Sequence, residues 1–176
     1  IWPGMLLSAG LPLPKRILAH GFITSGGVKM SKTLGNVIDP AALVAEYGGD
    51  AVRWFLARHI SPFEDGDITL AGFREAYNAD LANGLGNLVS RIMQMSSSFL
   101  GAPVDVRGEK PLSLGRELDN FEFNKAALAL WSDITTLDVL IQEGKPFDVV
   151  KKSKIRAQKQ ITYLGKELYR VAILLE

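Results

Sequence analysis

Two lysines three residues apart, Lys29 and Lys32, lie in a glycine-flanked segment with hydroxyl side chains beside them. Glycines let the backbone approach a ligand closely, and each lysine supplies a mobile point charge, so such a loop can close over a polyphosphate. A positioned ammonium group stabilises the charge that develops on phosphate oxygens during attack at phosphorus. Spacing alone does not separate this chemistry from an ordinary solvated basic loop, because short motifs recur by chance.

A second set of polar residues has helical spacing. Asn83, Asn87 and Arg91 are four residues apart and predict one polar stripe along a helix. Asn offers a donor and an acceptor together, and a guanidinium group both stacks and hydrogen-bonds, so the stripe suits single-stranded bases as well as solvent. Residues 145–170 contain eight Lys or Arg residues and two acidic residues, which favours a polyanionic partner at this end of the chain.

The elements that must position the two lysines are short. Residues 17–24 form a nearly continuous apolar run, which predicts a strand buried on both faces. Residues 25–27 follow as a turn that tolerates positive φ. Asp39 as N-cap and Pro40 at the first position predict a short helix, and Asp50 is predicted to cap the next one.

The elements that must position the polar stripe are long helices. From Thr69 onward, apolar residues recur every three or four positions, which predicts one helix of about 30 residues. The predicted apolar row is Phe73, Tyr77, Leu81, Leu85, Leu88, Ile92, Met95 and Phe99. A second helix is predicted over 119–142 and a third from Phe147, and three long helices joined by loops predict a bundle.

Composition excludes several classes of protein. The chain has 176 residues, 20 Lys and Arg against 19 Asp and Glu, and 47% hydrophobic residues, which is too apolar for a disordered chain and too balanced for a polybasic tail. It has no cysteine, which excludes a disulfide scaffold and a Cys-ligated zinc site. No apolar run reaches the roughly 18 residues of a membrane helix. We therefore expect no metal site in this chain, no membrane partner and a cytoplasmic location.

The chain is predicted to have two parts. The polar segment 61–67 carries Pro and Gly and predicts a division into residues 1–65 and 66–176. The chain begins at Ile1 without an initiator Met and ends directly after an apolar stretch. We interpret it as an internal fragment of a longer protein.

The lysine segment resembles a known signature. Residues 29–33 read Lys-Met-Ser-Lys-Thr and resemble the Lys-Met-Ser-Lys-Ser motif of class I aminoacyl-tRNA synthetases, with Thr33 keeping the last hydroxyl. Further segments look like the methionyl-tRNA synthetase family, namely residues 2–7, 10–14, 20–22, 34–40, 50–55 and 78–83. The resemblance implies a mainly α chain: the end of a class I Rossmann-type α/β catalytic domain, followed by an antiparallel α-helical bundle that binds the anticodon.

The resemblance implies that the parent protein is a methionine–tRNA ligase. It would activate methionine with ATP, accompanied by Mg²⁺, and transfer methionine from the adenylate to tRNA(Met). Lys32 and Lys29 match the lysines at the ATP phosphates and would be both catalytic and ATP-binding. His20 and Gly21 match the nucleotide pocket, and Trp2 matches an aromatic residue of the methionine pocket.

The resemblance also implies an anticodon reader on the helices. Asn87 and Arg91 match anticodon-reading residues of the family. The third reader in the family is a Trp after Lys-Pro, and this chain has Phe147 at that position. Phe still stacks on an unstacked base, with stacking worth roughly 1–3 kcal/mol, but it has a smaller face and lacks the indole N–H.

Two other functions remain open from the sequence. Class I synthetases for valine, leucine, isoleucine or cysteine share the lysine loop, although the spacing of Asn87 and Arg91 argues against them. A non-catalytic tRNA-binding module could retain the loop as a relic. The chain lacks the His-Ile-Gly-His segment and the zinc-bearing insertion found upstream in the family, so we expect no ATP–pyrophosphate exchange by this chain alone.

Overall fold

The computed structural model describes residues 1–110 and 113–175, and these residues are mainly helical, as predicted. The elements in chain order are α1 (Trp2–Ser8), β1 (Ile23–Ser25), β2 (Val28–Lys29), α2 (Pro40–Tyr47), α3 (Gly49–His59), β3 (Gly66–Asp67), α4 (Leu70–Ala76), a π-helix (Tyr77–Gly86), α5 (Asn87–Phe99), α6 (Gly115–Asp119), α7 (Phe123–Gly144), α8 (Pro146–Lys152) and α9 (Lys154–Leu175). Among the described helices, none has the length and apolar character needed to cross a membrane.

The three short strands form one small sheet. Strand β1 pairs with β2 in antiparallel register, Thr24 opposite Lys29, and with β3 in parallel register, Ile23 opposite Gly66. The predicted buried strand over 17–24 is wrong, because β1 begins only at Ile23, and Ile17 is 64% exposed. Among the described residues no strand lies beside residues 17–20, so the side chains of Ile17 and Leu18 are exposed, whereas the backbones of Gly21 and Phe22 bond to Pro62 and Gly66.

Helices α2 and α3 follow the sheet. The prediction at Asp39 is confirmed, since its carboxylate accepts a hydrogen bond from the amide of Ala41 at 2.9 Å. The prediction that Asp50 caps α3 is wrong. Gly48, at φ +86°, occupies the N-cap position, and Asp50 lies inside the first turn, where it bonds Arg53 at 2.9 Å. The helix begins earlier because glycine alone makes the reversal at Gly48 without strain.

The predicted long helix runs without a break from residue 70 to residue 99, but its middle is a π-helix. Thr69 caps it by accepting from the amide of Gly72 at 3.0 Å. A π-helix bonds residue i to i+5, so it rotates the following side chains away from the 3.6-residue phase. As a result Asp80 is buried, whereas Leu81 and Leu85 from the predicted apolar row are only half-buried.

Of the two remaining predicted helices, the one over 119–142 is confirmed as α7, which begins four residues later, at Phe123. Phe121, at φ +60°, separates α7 from the short helix α6 that precedes it. The third is divided into α8 and α9 at Ser153, whose extended backbone ends α8. Lys145, at φ +41°, separates α7 from α8, as the predicted break at residues 144–146 requires.

Among residues 1–110 and 113–175, buried apolar side chains form two clusters. The larger one is built from α5, α7 and α9, and its buried members are Leu88, Ile92, Met95, Leu130, Ile134, Leu137, Ile141, Ile161, Leu164, Leu168 and Val171. The smaller one contains Leu43, Val52, Phe55, Ile68 and Phe73. Its last two members lie beyond residue 65, so the smaller core crosses the predicted boundary. The division into two domains stays a prediction.

Candidate functional site

The lysine loop, residues 29–36, leaves the sheet at β2 and makes a tight turn. The carbonyl of Ser31 accepts from the amide of Leu34 at 3.1 Å, and the carbonyl of Lys32 accepts from Gly35 at 3.3 Å. Gly35 has φ +65°, which favours glycine at this position. Both Lys29 and Lys32 are exposed, and neither forms an ion pair with a carboxylate among residues 1–110 and 113–175.

The two lysines differ in their immediate surroundings. The Lys29 ammonium lies 5.6 Å from the ring centroid of Phe22, which is itself 68% exposed. A cation–π contact at an exposed site is worth about 0.5–1 kcal/mol, so it gives Lys29 a preferred position without fixing it. Lys32 lies in the turn, and its ammonium is available to an anion.

Two aspartates on the segment after α3 hold the hairpin that carries Lys29. Asp67 accepts from the amide of Gly27 at 2.8 Å and from the Thr24 hydroxyl at 2.7 Å, and Asp65 accepts from the amide of Phe22 at 2.7 Å. The bond from Gly27, followed by that from Thr24, lowers the pKa of Asp67 below its usual value. The sequence predicted a domain boundary over residues 61–67, and it did not predict that this segment contacts the hairpin.

His20 and Gly21 lie directly before the sheet. His20 is exposed, and its Nδ1–H donates to the carbonyl of Gly21 at 2.8 Å. The amide of Gly21 donates to the carbonyl of Pro62 at 3.2 Å. A Cβ at Gly21 would lie 2.1 Å from the carbonyl oxygen of Glu64, so glycine is required here for the close approach of two backbones. The nucleotide-binding role of both residues stays a prediction.

Trp2 lies in the first turn of α1 and is 54% exposed. No residue of α1 is buried, so Trp2 does not serve the core of the described residues. Exposed apolar side chains accompany it, including Met5, Leu7 and Leu11. Its place in a methionine pocket stays a prediction.

The polar stripe of Asn83, Asn87 and Arg91 is brought together at one cavity. The cavity has a volume of about 520 Å³ and is also lined by Trp131 and Asp138 of α7. Arg91 forms an ion pair with Asp138, and the two side chains are 41% and 37% exposed. The sequence predicted that the three residues share one face of a helix, but it did not predict Asp138. The spacing of residues within one helix gives no information about which residue of another helix lies opposite.

Phe147 lies in the first turn of α8 and is 46% exposed. It lines a second cavity of about 280 Å³, and Arg91 lines this cavity as well. Arg91 therefore lines both cavities, whereas Asn87 lines only the first of the two and Phe147 only the second. Their role as anticodon readers stays a prediction.

A buried polar cluster, which the sequence did not reveal, connects α3, the π-helix and α7. Asp80 is 5% exposed and accepts from Trp54 Nε1 at 3.2 Å and from His59 Nε2 at 2.9 Å, with Arg58 Nε at 3.4 Å. The Arg58 guanidinium lies 3.9 Å from the ring centroid of Trp131. Burial lowers the pKa of Arg58, and Asp80 opposes that shift. The only sequence signal was that Trp54 and Asp80 fall within segments that carry the family resemblance.

The basic residues of 145–170 are divided by their environment. Lys166 pairs with Glu109 at 2.8 Å, and Arg170 pairs with Glu167 and donates to the carbonyl of Lys110. These two residues hold the 104–110 segment on α9. The other six are exposed, namely Lys145, Lys151, Lys152, Lys154, Arg156 and Lys159, and of these Lys151 also pairs with Asp148 at 3.0 Å. Within the described chain no three His, Asp or Glu side chains cluster in a way that could hold a metal ion.

Comparison with known proteins identifies the class. Residues 1–93 match the model of the family described as tRNA synthetases class I (M), so the chain belongs to this family, as the lysine loop led us to expect. Curated relatives are the methionine–tRNA ligases of a Nostoc species, 37% identical over 97% of this chain and 35% of the relative, and of Rhizobium meliloti, 36% identical over 99% of this chain and 37% of the relative.

A solved relative has the same fold over nearly the whole chain. It is the methionyl-tRNA synthetase of Mycobacterium tuberculosis in complex with methionyl-adenylate, with a TM-score of 0.79 and 33% identity, covering 99% of this chain and 38% of that one. The same protein without ligand gives a TM-score of 0.75. The chain spans between 35% and 38% of the length of these three proteins.

Proposed function

We propose that this chain is part of a methionine–tRNA ligase. The parent protein activates methionine with ATP to methionyl-adenylate and then transfers methionine to tRNA(Met). The observation that carries the proposal is the lysine loop, held on a small sheet with both ammonium groups exposed, in a chain similar to a synthetase solved with methionyl-adenylate. In this proposal residues 1–65 complete a Rossmann-type catalytic domain, and residues 66–176 form an antiparallel helical bundle that binds the anticodon, in the cytoplasm.

Lys32 and Lys29 would act on the triphosphate. A carboxylate oxygen of methionine forms a bond to the α-phosphorus, the bond from that phosphorus to the bridging oxygen breaks, and pyrophosphate leaves with the electron pair. Negative charge grows on the leaving group, and the two ammonium groups stabilise it. One such contact is worth roughly 3–4 kcal/mol of barrier. Mg²⁺ would accompany the ATP as part of the substrate.

The remaining predicted residues would complete the substrate pockets. His20 and Gly21 would border the nucleotide next to the hairpin, and Gly21 would do so through its backbone. Trp2 would offer its exposed ring to the methionine side chain, since a thioether and an aromatic ring attract each other by roughly 0.3–1.5 kcal/mol. Its partner surfaces would belong to parts of the parent protein outside this chain.

The helical part would read the anticodon. Arg91 borders two adjoining cavities, so its guanidinium could hydrogen-bond a base in either one. Asn87 would supply a donor and an acceptor on one side, and Phe147 would stack on an unpaired base on the other. The six exposed basic residues of α8 and α9 and their flanks would contact the phosphate backbone without reading its sequence.

The catalytic half of the proposal is tested on the full-length parent protein by methionine-dependent ATP–pyrophosphate exchange. Lys32→Ala is expected to lower kcat by roughly 100- to 1,000-fold, because one charge-stabilising contact is removed from the transition state. Lys125→Ala is the matched control, since Lys125 pairs with Glu122 on α7 and is expected to leave exchange unchanged. Normal turnover by Lys32→Ala, or exchange that depends on valine, leucine, isoleucine or cysteine instead, would contradict the proposal.

The recognition half is tested by binding of tRNA transcripts with swapped anticodons. Arg91→Ala is expected to remove most of the preference for the methionine anticodon, whereas Lys159→Ala lowers affinity for all transcripts equally. Unchanged preference in Arg91→Ala would refute the anticodon assignment. Binding with normal preference by a parent that lacks exchange activity would instead favour a non-catalytic tRNA-binding module.

A further inference from the structure

Asn36 lies at the end of the lysine loop, and its side chain spans the loop. Its Oδ1 accepts from the amide of Ser31 at 2.8 Å, and its Nδ2 donates to the carbonyls of Lys29 at 3.3 Å and Val28 at 3.5 Å. One half-buried amide therefore bonds the backbone on both sides of Met30. No role for Asn36 follows from the lysine chemistry itself.

The lysine loop is attached to the smaller apolar core at both ends, and Asn36 lies between these two attachments. Met30 and Ile38 pack against the smaller apolar core, so the two ends of residues 31–37 are attached there. Between these anchors the side chains of Lys32, Thr33 and Leu34 are exposed. The contacts of Asn36 are thus the ones that tie the far end of the turn back to the strand that carries Lys29.

We propose that Asn36 is a positioning residue that fixes the shape of the lysine loop, so that the ammonium groups of Lys29 and Lys32 meet the triphosphate together. Ser31, whose amide Asn36 holds, directly precedes Lys32, and Lys29 is held through its own carbonyl. Asn36 touches neither substrate nor reacting atoms in this role. The inference rests on the function proposed above, since it concerns the geometry of the same two lysines.

Asparagine suits this role because its short side chain carries an acceptor and a donor together. Aspartate would keep the bond from Ser31 but would lose both donated bonds and would place a carboxylate beside the two backbone carbonyls. Alanine would lose all three bonds. The two variants therefore separate the accepting bond from the donating ones.

The kinetic test uses the full-length parent protein and methionine-dependent ATP–pyrophosphate exchange. Asn36→Ala is expected to lower kcat by about 10- to 100-fold, the size of effect that a displaced reacting group produces, and to leave KM for methionine unchanged. Asn36→Asp is expected to be impaired as well, and wild-type turnover in either variant would overturn the inference. The control is Asn124→Ala, which is expected to behave as wild type, because among the described residues the Asn124 side chain bonds no group beyond the amide of Lys125.

A second measurement follows the loop without relying on catalysis. Hydrogen exchange of the peptide over residues 28–38 is expected to be faster in Asn36→Ala, since the Ser31 amide loses its acceptor, while thermal unfolding stays unchanged. Unchanged exchange, or a kcat loss fully explained by a smaller fraction of folded enzyme, would overturn the positioning role and leave the proposed function intact. Absence of methionine-dependent exchange by the wild-type parent would overturn the proposed function, and this role with it.

Discussion

Removing the carboxylate of Asp80 is expected to destabilise the fold strongly. In Asp80→Ala the Arg58 guanidinium, whose side chain is only 13% exposed, keeps its charge and loses its anionic partner. Arg58 Nη1 already has no hydrogen-bond partner among the described residues, so the loss of Asp80 leaves the guanidinium mainly its contacts with the rings of Trp54 and Trp131. Removing one partner of a buried ion pair costs up to about 3–5 kcal/mol of unfolding free energy.

The expected loss is measured by urea unfolding of the chain, followed by the fluorescence of Trp54 and Trp131. Asp50→Ala is the matched control, because the pair of Asp50 with Arg53 lies on the surface, and its loss is expected to cost less than about 1 kcal/mol. Replacing Arg58 by Met together with Asp80→Ala is expected to recover part of the loss, since no charge then remains buried. Asp80→Ala within 1 kcal/mol of wild type would refute the reasoning about this cluster.

Three further predictions follow from single contacts. Gly21→Ala is expected to lower the melting temperature of the chain, because its Cβ would overlap a backbone carbonyl; Gly101→Ala, in open space, is the control. Asp67 has a lowered folded-state pKa, so its stabilising contribution is complete above the ordinary value near 3.9 and disappears as the pH falls through the lowered one. Between pH 7 and acid pH, the unfolding free energy of wild type should therefore fall by more than that of Asp67→Ala. Asp138→Ala is expected to reduce discrimination between tRNA anticodons roughly tenfold without weakening binding of all tRNAs, because Arg91 loses its position; equal loss for every transcript would contradict this.

At the lysine loop, the features that depend on nearby residues could be predicted from the sequence. The Lys-Met-Ser-Lys-Thr run, the turn at residues 25–27 and the Asp39 cap depend on neighbours within a few residues, and all three could be read directly from the chain. The hydrogen bonds of the Asn36 side chain are local too, since their partners lie five to eight residues away in the chain. The sequence does not reveal these bonds, because an asparagine after a glycine predicts a turn and gives no indication of which groups its side-chain amide bonds.

The sequence by itself determined that the chain is mainly helical, that a glycine-flanked lysine loop precedes the long helices, and that Asn83, Asn87 and Arg91 share one face. Helical periodicity, capping chemistry and glycine conformation act over short separations, so they leave their mark in the order of residues.

Tertiary structure alone decided which side chains meet across elements. It placed Arg58 beside Trp131, buried Asp80 by means of the π-helix, paired Arg91 with Asp138, and left residues 17–20 exposed without a neighbouring strand. These outcomes depend on packing between segments distant in the chain, and a π-helix shifts the phase of every residue after it. Periodicity along one segment contains no information about either effect.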